Sequence, residues 1–356
     1  MTPPLLRVSG LTKSFAVAGP VGNRRLLRAV DHVGFDVAAG ETFALVGESG
    51  SGKTTIGRLV LRLVEPDAGR VEFAGVDLRA LDARGLRAMR RRMQIVFQDP
   101  FASLDPRETI GAAIAAPIRL HGLRRGDGVD ARVRDLLGMV GLDPSFARRH
   151  PHSLSGGQRQ RAVIARALAV EPELLVCDEP VAALDVSVQA QTLNLLQDLR
   201  ARLGLAMIFI SHDMGVVRCM ADRVGILYAG RIVETGLAED IFRHARHPYT
   251  QALLSAVPRL PPHARRERKV LEGEPPDPFS VDGGCAFAGR CPHALPACAS
   301  APPPASPAGR PGHVAHCHRL HELPVQEETW LGDAEASPAV AARLARMRAR
   351  QGGHPA

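Results

Sequence analysis

Aromatic side chains are scarce in this chain, at 4% of 356 residues, and so is lysine, which supplies three of the 45 basic residues. Long apolar runs are missing as well. Stretches such as 162–170 and 205–210 are short or interrupted, and none approaches the roughly 20 residues that cross a bilayer as a helix. The first ten residues lack the charged-then-apolar pattern of a signal peptide. A cytosolic chain is expected, unless something else holds it at a membrane. The net charge is +8, but no basic run alternates with rings as a nucleic-acid surface requires. That charge suits a surface near anionic lipid or a general bias towards Arg, Ala, Gly and Pro. The hydrophobic content of 45% is enough for a sizeable core.

The order of patterns predicts an α/β fold. Residues 1–100 read as strands broken by one phosphate loop. An apolar run at 43–46, a glycine-rich loop and a helical pattern at 54–63 give strand, loop and helix. Residues 110–120 and 130–140 have helical periodicity, with Asp130 as N-cap and Gly141 as C-cap. They predict a helical subdomain, about 105–165, inserted in the core of a domain spanning 1–258. Strand patterns at 174–177 and 207–210 alternate with a helical one at 187–203, which argues for a mostly parallel sheet. Beyond 258, Pro, Gly, His and Cys rise and periodicity fades. A small loop-rich module is expected over 259–330, then a tail, 331–356, with a short amphipathic pattern at 337–350.

Three stretches carry chemistry. Gly47-Glu48-Ser49-Gly50-Ser51-Gly52-Lys53-Thr54 fits the P-loop pattern between a strand and a helix. Its glycines let backbone N–H groups turn around phosphates, and the helix N-terminus adds positive potential. Lys53 would reach the β- and γ-phosphates, and the Thr54 hydroxyl would ligate Mg²⁺. In a chain that uses arginine almost everywhere, a lysine here implies that a planar guanidinium does not serve. Leu174-Leu175-Val176-Cys177-Asp178-Glu179 is an apolar strand ending in two acids. Asp178 would hold the metal, directly or through water, and Glu179 would polarise the attacking water. Leu154-Ser155-Gly156-Gly157-Gln158 is a second glycine-rich helix start. One nucleotide needs one such cradle, so a second implies a partner whose nucleotide it closes upon.

With these motifs the chain resembles ABC-transporter ATPases over about residues 5–260. The resemblance implies a P-loop NTPase fold, ATP as substrate and Mg²⁺ as its metal. It implies roles for Thr55 beside the phosphate loop, for Ser155, Gly156, Gly157 and Gln158 as the family signature, and for Asp185 as the dimer-interface D-loop. Gln98 matches the glutamine that senses Mg²⁺ and nucleotide and touches the permease. His212 matches the switch histidine at the γ-phosphate, and Phe15 the ring that stacks on adenine. Ala182 stands where a serine is common and Asp105 where an asparagine is common; neither removes a catalytic group. A non-transport ABC ATPase of DNA repair or translation would usually carry two cassettes or a long coiled-coil insertion, and this chain has neither.

The later segments narrow the resemblance. His247-Pro248-Tyr249-Thr250-Gln251-Ala252-Leu253-Leu254 and Leu271-Glu272-Gly273-Glu274 look like the C-terminal extension of oligopeptide, dipeptide and nickel importer ATPases. The stretch from Arg90 to Gln98 looks more like the F-type than the D-type subunit. The partners implied are a second ATPase subunit forming a heterodimer, two transmembrane permease subunits and an extracytoplasmic substrate-binding protein. The place implied is the cytoplasmic face of the inner membrane. Cys285, Cys291, Cys298 and Cys317 are separated by five, six and eighteen residues, without the C-x₂-C knuckles of ordinary zinc sites. Four thiolates in a loop-rich segment suit an iron–sulfur cluster, and the resemblance implies a [4Fe–4S] cluster. Zinc is the alternative, with His293, His316 or His318 replacing a thiolate. None of these cysteines belongs to an ATP motif, so the module is expected to have little direct effect on the phosphate site.

Overall fold

The computed structural model describes residues 3–18, 24–257, 271, 273, 274, 276, 277, 279 and 283–325. Glu272 and the 337–350 pattern lie outside the described residues. In chain order, β1 (Leu6–Ala18) and β2 (Arg24–Val37) form a long antiparallel pair. They lead to β3 (Thr42–Val46), α1 (Lys53–Val60), β4 (Ala68–Phe73), β5 (Val76–Asp77), α2 (Ala83–Arg92) and β6 (Met93–Val96). The helical insert holds α3 (Ile110–Leu120) and α4 (Asp127–Met139) and returns through α5 (Gly156–Leu168). There follow β7 (Leu174–Asp178), α6 (Val186–Leu203), β8 (Ala206–Ser211), α7 (Met214–Met220), β9 (Arg223–Tyr228) and β10 (Arg231–Leu237). Last come α8 (Ala238–Arg243), α9 (Pro248–Ser255), α10 (Pro296–Ser300), β11 (Ala305–Pro307) and β12 (Val314–His316).

The main sheet has the order β11-β12-β10-β9-β3-β8-β7-β6. Its block from β9 to β6 is parallel, and the other edge is antiparallel. Every residue of β3, β7 and β8 is buried. Such continuous apolar runs belong to parallel strands covered on both faces. Alternate residues serve opposite cores. Phe43, Leu45, Val176 and Ile208 pack with β1, β2 and α1. Ala44, Val46, Cys177 and Phe209 pack with the helical insert and the C-terminal elements. A second, antiparallel sheet, β2-β1-β4-β5, stands apart from the first; the strand-rich pattern of residues 1–100 did not distinguish the two.

Local chemistry sets the helix ends. Thr109 caps α3 by accepting a hydrogen bond from the Ala112 amide at 3.2 Å. Helix α4 starts at Asp127 after Gly126, so Asp130 lies in its first turn and is not the N-cap. Both acids there face the positive end of the helix dipole. Gly141, with φ of 72°, lies just past the helix in the left-handed conformation expected of a stop. Helix α1 ends at Val60, short of the apolar pattern, and Arg62 follows at a positive φ of 49°.

The segment after residue 283 extends this body. Strand β12 pairs with β10 through Glu234–Ala315 and Thr235–Val314. The wholly buried Glu234 carboxylate accepts from the amides of Arg246 (2.7 Å) and His247 (3.0 Å) and pairs with His313 Nε2 at 2.8 Å. Those donors replace the water that burial removes. Phe287, 1% exposed, enters the core shared with the insert and stands edge-on to Tyr228, with ring centroids 5.2 Å apart. Phe287→Ala should therefore lower the unfolding free energy of the full chain by about 3–5 kcal/mol in guanidinium chloride titration. A loss below about 1 kcal/mol would show that the segment is not packed into the core.

Candidate active site

The carboxyl ends of the parallel strands carry the site. Strand β3 runs into residues 47–52 and then α1. A Cβ on Gly47 would come within 2.1 Å of the Leu227 carbonyl oxygen, and one on Gly52 within 2.2 Å of that of Ala29. Gly52 also has φ of 105°, so no side chain fits either position. The Lys53 ammonium donates to the carbonyls of Gly47 and Glu48 at 2.8 Å each. Burial pulls its pKa below the usual lysine range, against the fields of Glu179, Asp178 and Glu48. Ser49, Gly50 and Ser51 complete the turn, and Thr55 follows in α1.

Strand β7 brings the two acids alongside. The Thr54 hydroxyl donates to Asp178 Oδ1 at 2.9 Å. Burial raises the Asp178 pKa and the charge of Glu179 adds to the rise, while the Thr54 hydrogen bond, Arg58 and Lys53 oppose it. Glu179 has φ of 46°, a left-handed conformation that few non-glycine residues adopt. Its amide donates to the Ile210 carbonyl at 3.0 Å. The strand turns there and presents the carboxylate. Gln98 Nε2 donates to Glu179 Oε2 at 2.9 Å, and His212 Nδ1 lies 3.1 Å from Glu179 Oε1. Gln98, Glu179 and His212, which come from the ends of three different strands, thus meet at one carboxylate.

The signature stretch lies elsewhere. Ser155 accepts from the Gln158 amide at 3.3 Å, and Gln158 Oε1 accepts from the Ser155 amide at 3.0 Å, a reciprocal capping box at the start of α5. Among the described residues no hydrogen bond joins 155–158 to 47–55. Gly156 and Gly157 pack beside Leu184 and Val188, and Asp185 stands exposed between those two. Val186 next to it is 82% exposed. Phe15, on β1, is 36% exposed with Lys13 Nζ 5.6 Å from its ring centre.

Two features escaped the sequence reading. The Arg159 guanidinium lies 3.6 Å from the Phe101 ring centre and donates to the carbonyls of Pro151 and Leu154. It ties the loop after Gln98 to the signature turn. Second, Arg290 reaches the phosphate loop and pairs with Glu48 at 2.9 Å. The cysteine-bearing segment is thus joined directly to the phosphate loop. Pairs 242 residues apart leave no periodic or spacing signal. The four thiols line one small cavity together with His247, Phe287, His293 and His318. Among the described residues no group of three or more His, Cys, Asp or Glu side chains is closed tightly enough to hold a metal ion.

Residues 30–182 match the ABC transporter family, and residues 233–298 match the oligopeptide/dipeptide transporter C-terminal region. A Brucella ovis protein named as a peptide import ATP-binding protein is 51% identical over 316 residues, which cover 89% of this chain and 98% of that one. YkfD of Bacillus subtilis, named as an oligopeptide transport ATP-binding protein, is 44% identical over 328 residues, 91% of this chain and 98% of that one. Among solved structures, the post-hydrolysis dimer of the ATP-binding cassette MJ0796 with ADP and Pi has a TM-score of 0.59 at 29% identity, covering 65% of this chain and 98% of that one. Clostridium perfringens cbiO1, part of the ABC transporter complex cbiONQ, has a TM-score of 0.59 at 26% identity, covering 68% and 91%. With half its residues shared over nearly the full length of such relatives, the chain belongs to the ABC transporter ATP-binding proteins, in the branch that carries the oligopeptide/dipeptide C-terminal region.

Proposed function

We propose that this chain is the ATP-hydrolysing subunit that powers peptide import through an ABC transporter. The observation that carries the reading is the meeting of Gln98 and His212 on the Glu179 carboxylate beside the Lys53–Thr54 cradle. The amides of Ser49, Gly50 and Gly52 and the Lys53 ammonium bind the phosphates of ATP, while the Glu48 amide donates to the Tyr249 hydroxyl and the Ser51 amide to the Glu48 carbonyl. The Thr54 hydroxyl and Asp178 carboxylate, already 2.9 Å apart, suit Mg²⁺, with Gln98 at its edge. When bound, that ion neutralises charge on the phosphate oxygens. Glu179 orients and polarises the attacking water, and His212 meets the γ-phosphate end. Phe15 offers a half-exposed ring to adenine.

The exposed signature turn and Asp185 serve the nucleotide of a second ATPase subunit, which we read as an F-type chain's D-type homologue. The dimeric form of MJ0796 supports such pairing. Two permease subunits and an extracytoplasmic substrate-binding protein complete the transporter, with the loop after Gln98 facing the permease. No helix among the described residues is long and apolar enough to cross a membrane; the permease would hold the chain peripherally at the cytoplasmic face. The match to the oligopeptide/dipeptide C-terminal region favours import over DNA repair or translation.

Cys285, Cys291, Cys298 and Cys317 line one cavity and suit a [4Fe–4S] cluster in donor type, and such a cluster would have to draw the thiols closer together. Burial pushes the Cys285 thiol up to about 11, and the charges of Cys298, Cys291 and Cys317 add to the rise. Soft thiol donors gathered at one cavity are stabilised as thiolates by a cationic centre. His293 and His318 at the same cavity keep zinc as the alternative.

Glu179→Gln should cut ATP turnover in the assembled transporter by about 100-fold or more while leaving MgATP affinity within about threefold. Near-normal turnover would remove Glu179 from its role. Protein purified without air should contain about four iron and four sulfide per chain by elemental analysis. One zinc and no sulfide would exclude the cluster.

A further inference from the structure

The phosphate loop carries a carboxylate of its own. Glu48 follows Gly47 directly, and its field is among those acting on the Lys53 ammonium. An unpaired carboxylate at this place opposes the binding of a polyphosphate. The chain supplies its counter-charge from far along the sequence. Arg290 Nη1 donates to Glu48 Oε2 at 2.9 Å, and Nη2 donates to Oε1 at 3.2 Å. This is a two-pronged pairing, geometrically specific and stronger than a point contact. The Arg290 side chain is 9% exposed and that of Glu48 32%. Arg290 Nη1 is also within 3.3 Å of the Tyr228 hydroxyl. The Glu48 amide donates to the Tyr249 hydroxyl at 3.0 Å. Charge and backbone of one loop residue are therefore both held by C-terminal side chains.

Arg290 ends a single helical turn, Ala288–Arg290, set between two of the cavity cysteines. The Ala288 amide donates to the Cys285 carbonyl at 2.9 Å, and the Cys291 amide to the Ala288 carbonyl at 3.3 Å. Phe287, at the head of the turn, packs on Tyr228 and Tyr249 with ring centres 5.2 and 5.4 Å away.

We propose that Arg290 is a positioning residue for ATP turnover, cancelling the charge of Glu48 and pinning the phosphate loop to the cysteine-lined turn. It touches no reacting atom and acts through Glu48. The role rests on ATP binding at the loop and is independent of what fills the cavity.

Equilibrium titration with MgATP on the full chain, and ATP turnover in the assembled transporter, test it. Arg290→Ala should weaken MgATP affinity and raise KM by about tenfold, with kcat changed by less than about twofold. The double variant Glu48→Gln with Arg290→Ala should bind MgATP at least about threefold more tightly than Arg290→Ala alone, because no charge is left to cancel. Arg290→Lys keeps the charge but loses the second prong, and should fall between wild type and the alanine variant. It provides the same comparison if the alanine variant does not fold, and thermal unfolding of each variant reports on folding. A KM within about twofold of wild type for Arg290→Ala would overturn the role. So would a double variant as weak as the single one, or a lysine variant as weak as the alanine, since these mark a merely structural contact. A wild-type chain that fails to bind MgATP would overturn the ATP reading itself.

Discussion

Lys53 is 5% exposed, and among the described residues its ammonium donates to two carbonyls of the loop that precedes it. A cation buried at the start of a helix is a ready seat for an anion. The rest of the molecule holds it open. The fully buried strand β3 fixes the start of the loop, and α1 fixes its end. The Leu227 and Ala29 carbonyls close in so tightly at Gly47 and Gly52 that the backbone has one path to follow. The negative charges of Glu179, Asp178 and Glu48 oppose the burial that lowers the lysine's pKa.

That charge creates a second problem, and each acid is given a partner. Asp178 accepts from Thr54, Glu179 from Gln98 with His212 beside it, and Glu48 from Arg290. Two of these partners stand where a nucleotide and its metal ion interact in the proposed chemistry. The third comes from the cysteine-bearing segment. This segment is anchored by the buried Glu234 carboxylate and by Phe287 in the core, so its position is as fixed as that of the sheet. Of these three acids, Glu179 sits in a left-handed backbone conformation, with φ of 46°, a strain that persists when the surroundings over-determine it. Here the hydrogen bond from its amide to Ile210 does so.

Much of this was legible because it is local. The loop motif, the two acids after an apolar run and the capped signature turn are all contiguous, and the parallel strands show as unbroken apolar runs at 174–177 and 207–210. The convergence of Gln98, Glu179 and His212 followed from family likeness and not from spacing. What stayed hidden is long-range or too short to be periodic. Strands β11 and β12 have three residues each, below any detectable alternation. The Arg290–Glu48 pair joins residues that only the folded sheet brings together, and nothing in a chain so rich in arginine marks that one residue. Asp130 looked like a cap because it is an acid before an apolar pattern; Gly126, four residues ahead of it in the chain, opens the helix a turn earlier.

The assignment of the loop rests on Lys53, and Lys53→Arg addresses it most directly. The substitution preserves charge and matches the habit of the rest of the sequence, which makes it mild everywhere but in a cradle sized for an ammonium. Equilibrium titration of the purified full chain with MgATP should show an affinity at least about tenfold weaker than wild type, with an unchanged unfolding midpoint. Wild-type affinity in the arginine variant would contradict the placement of the polyphosphate on this loop.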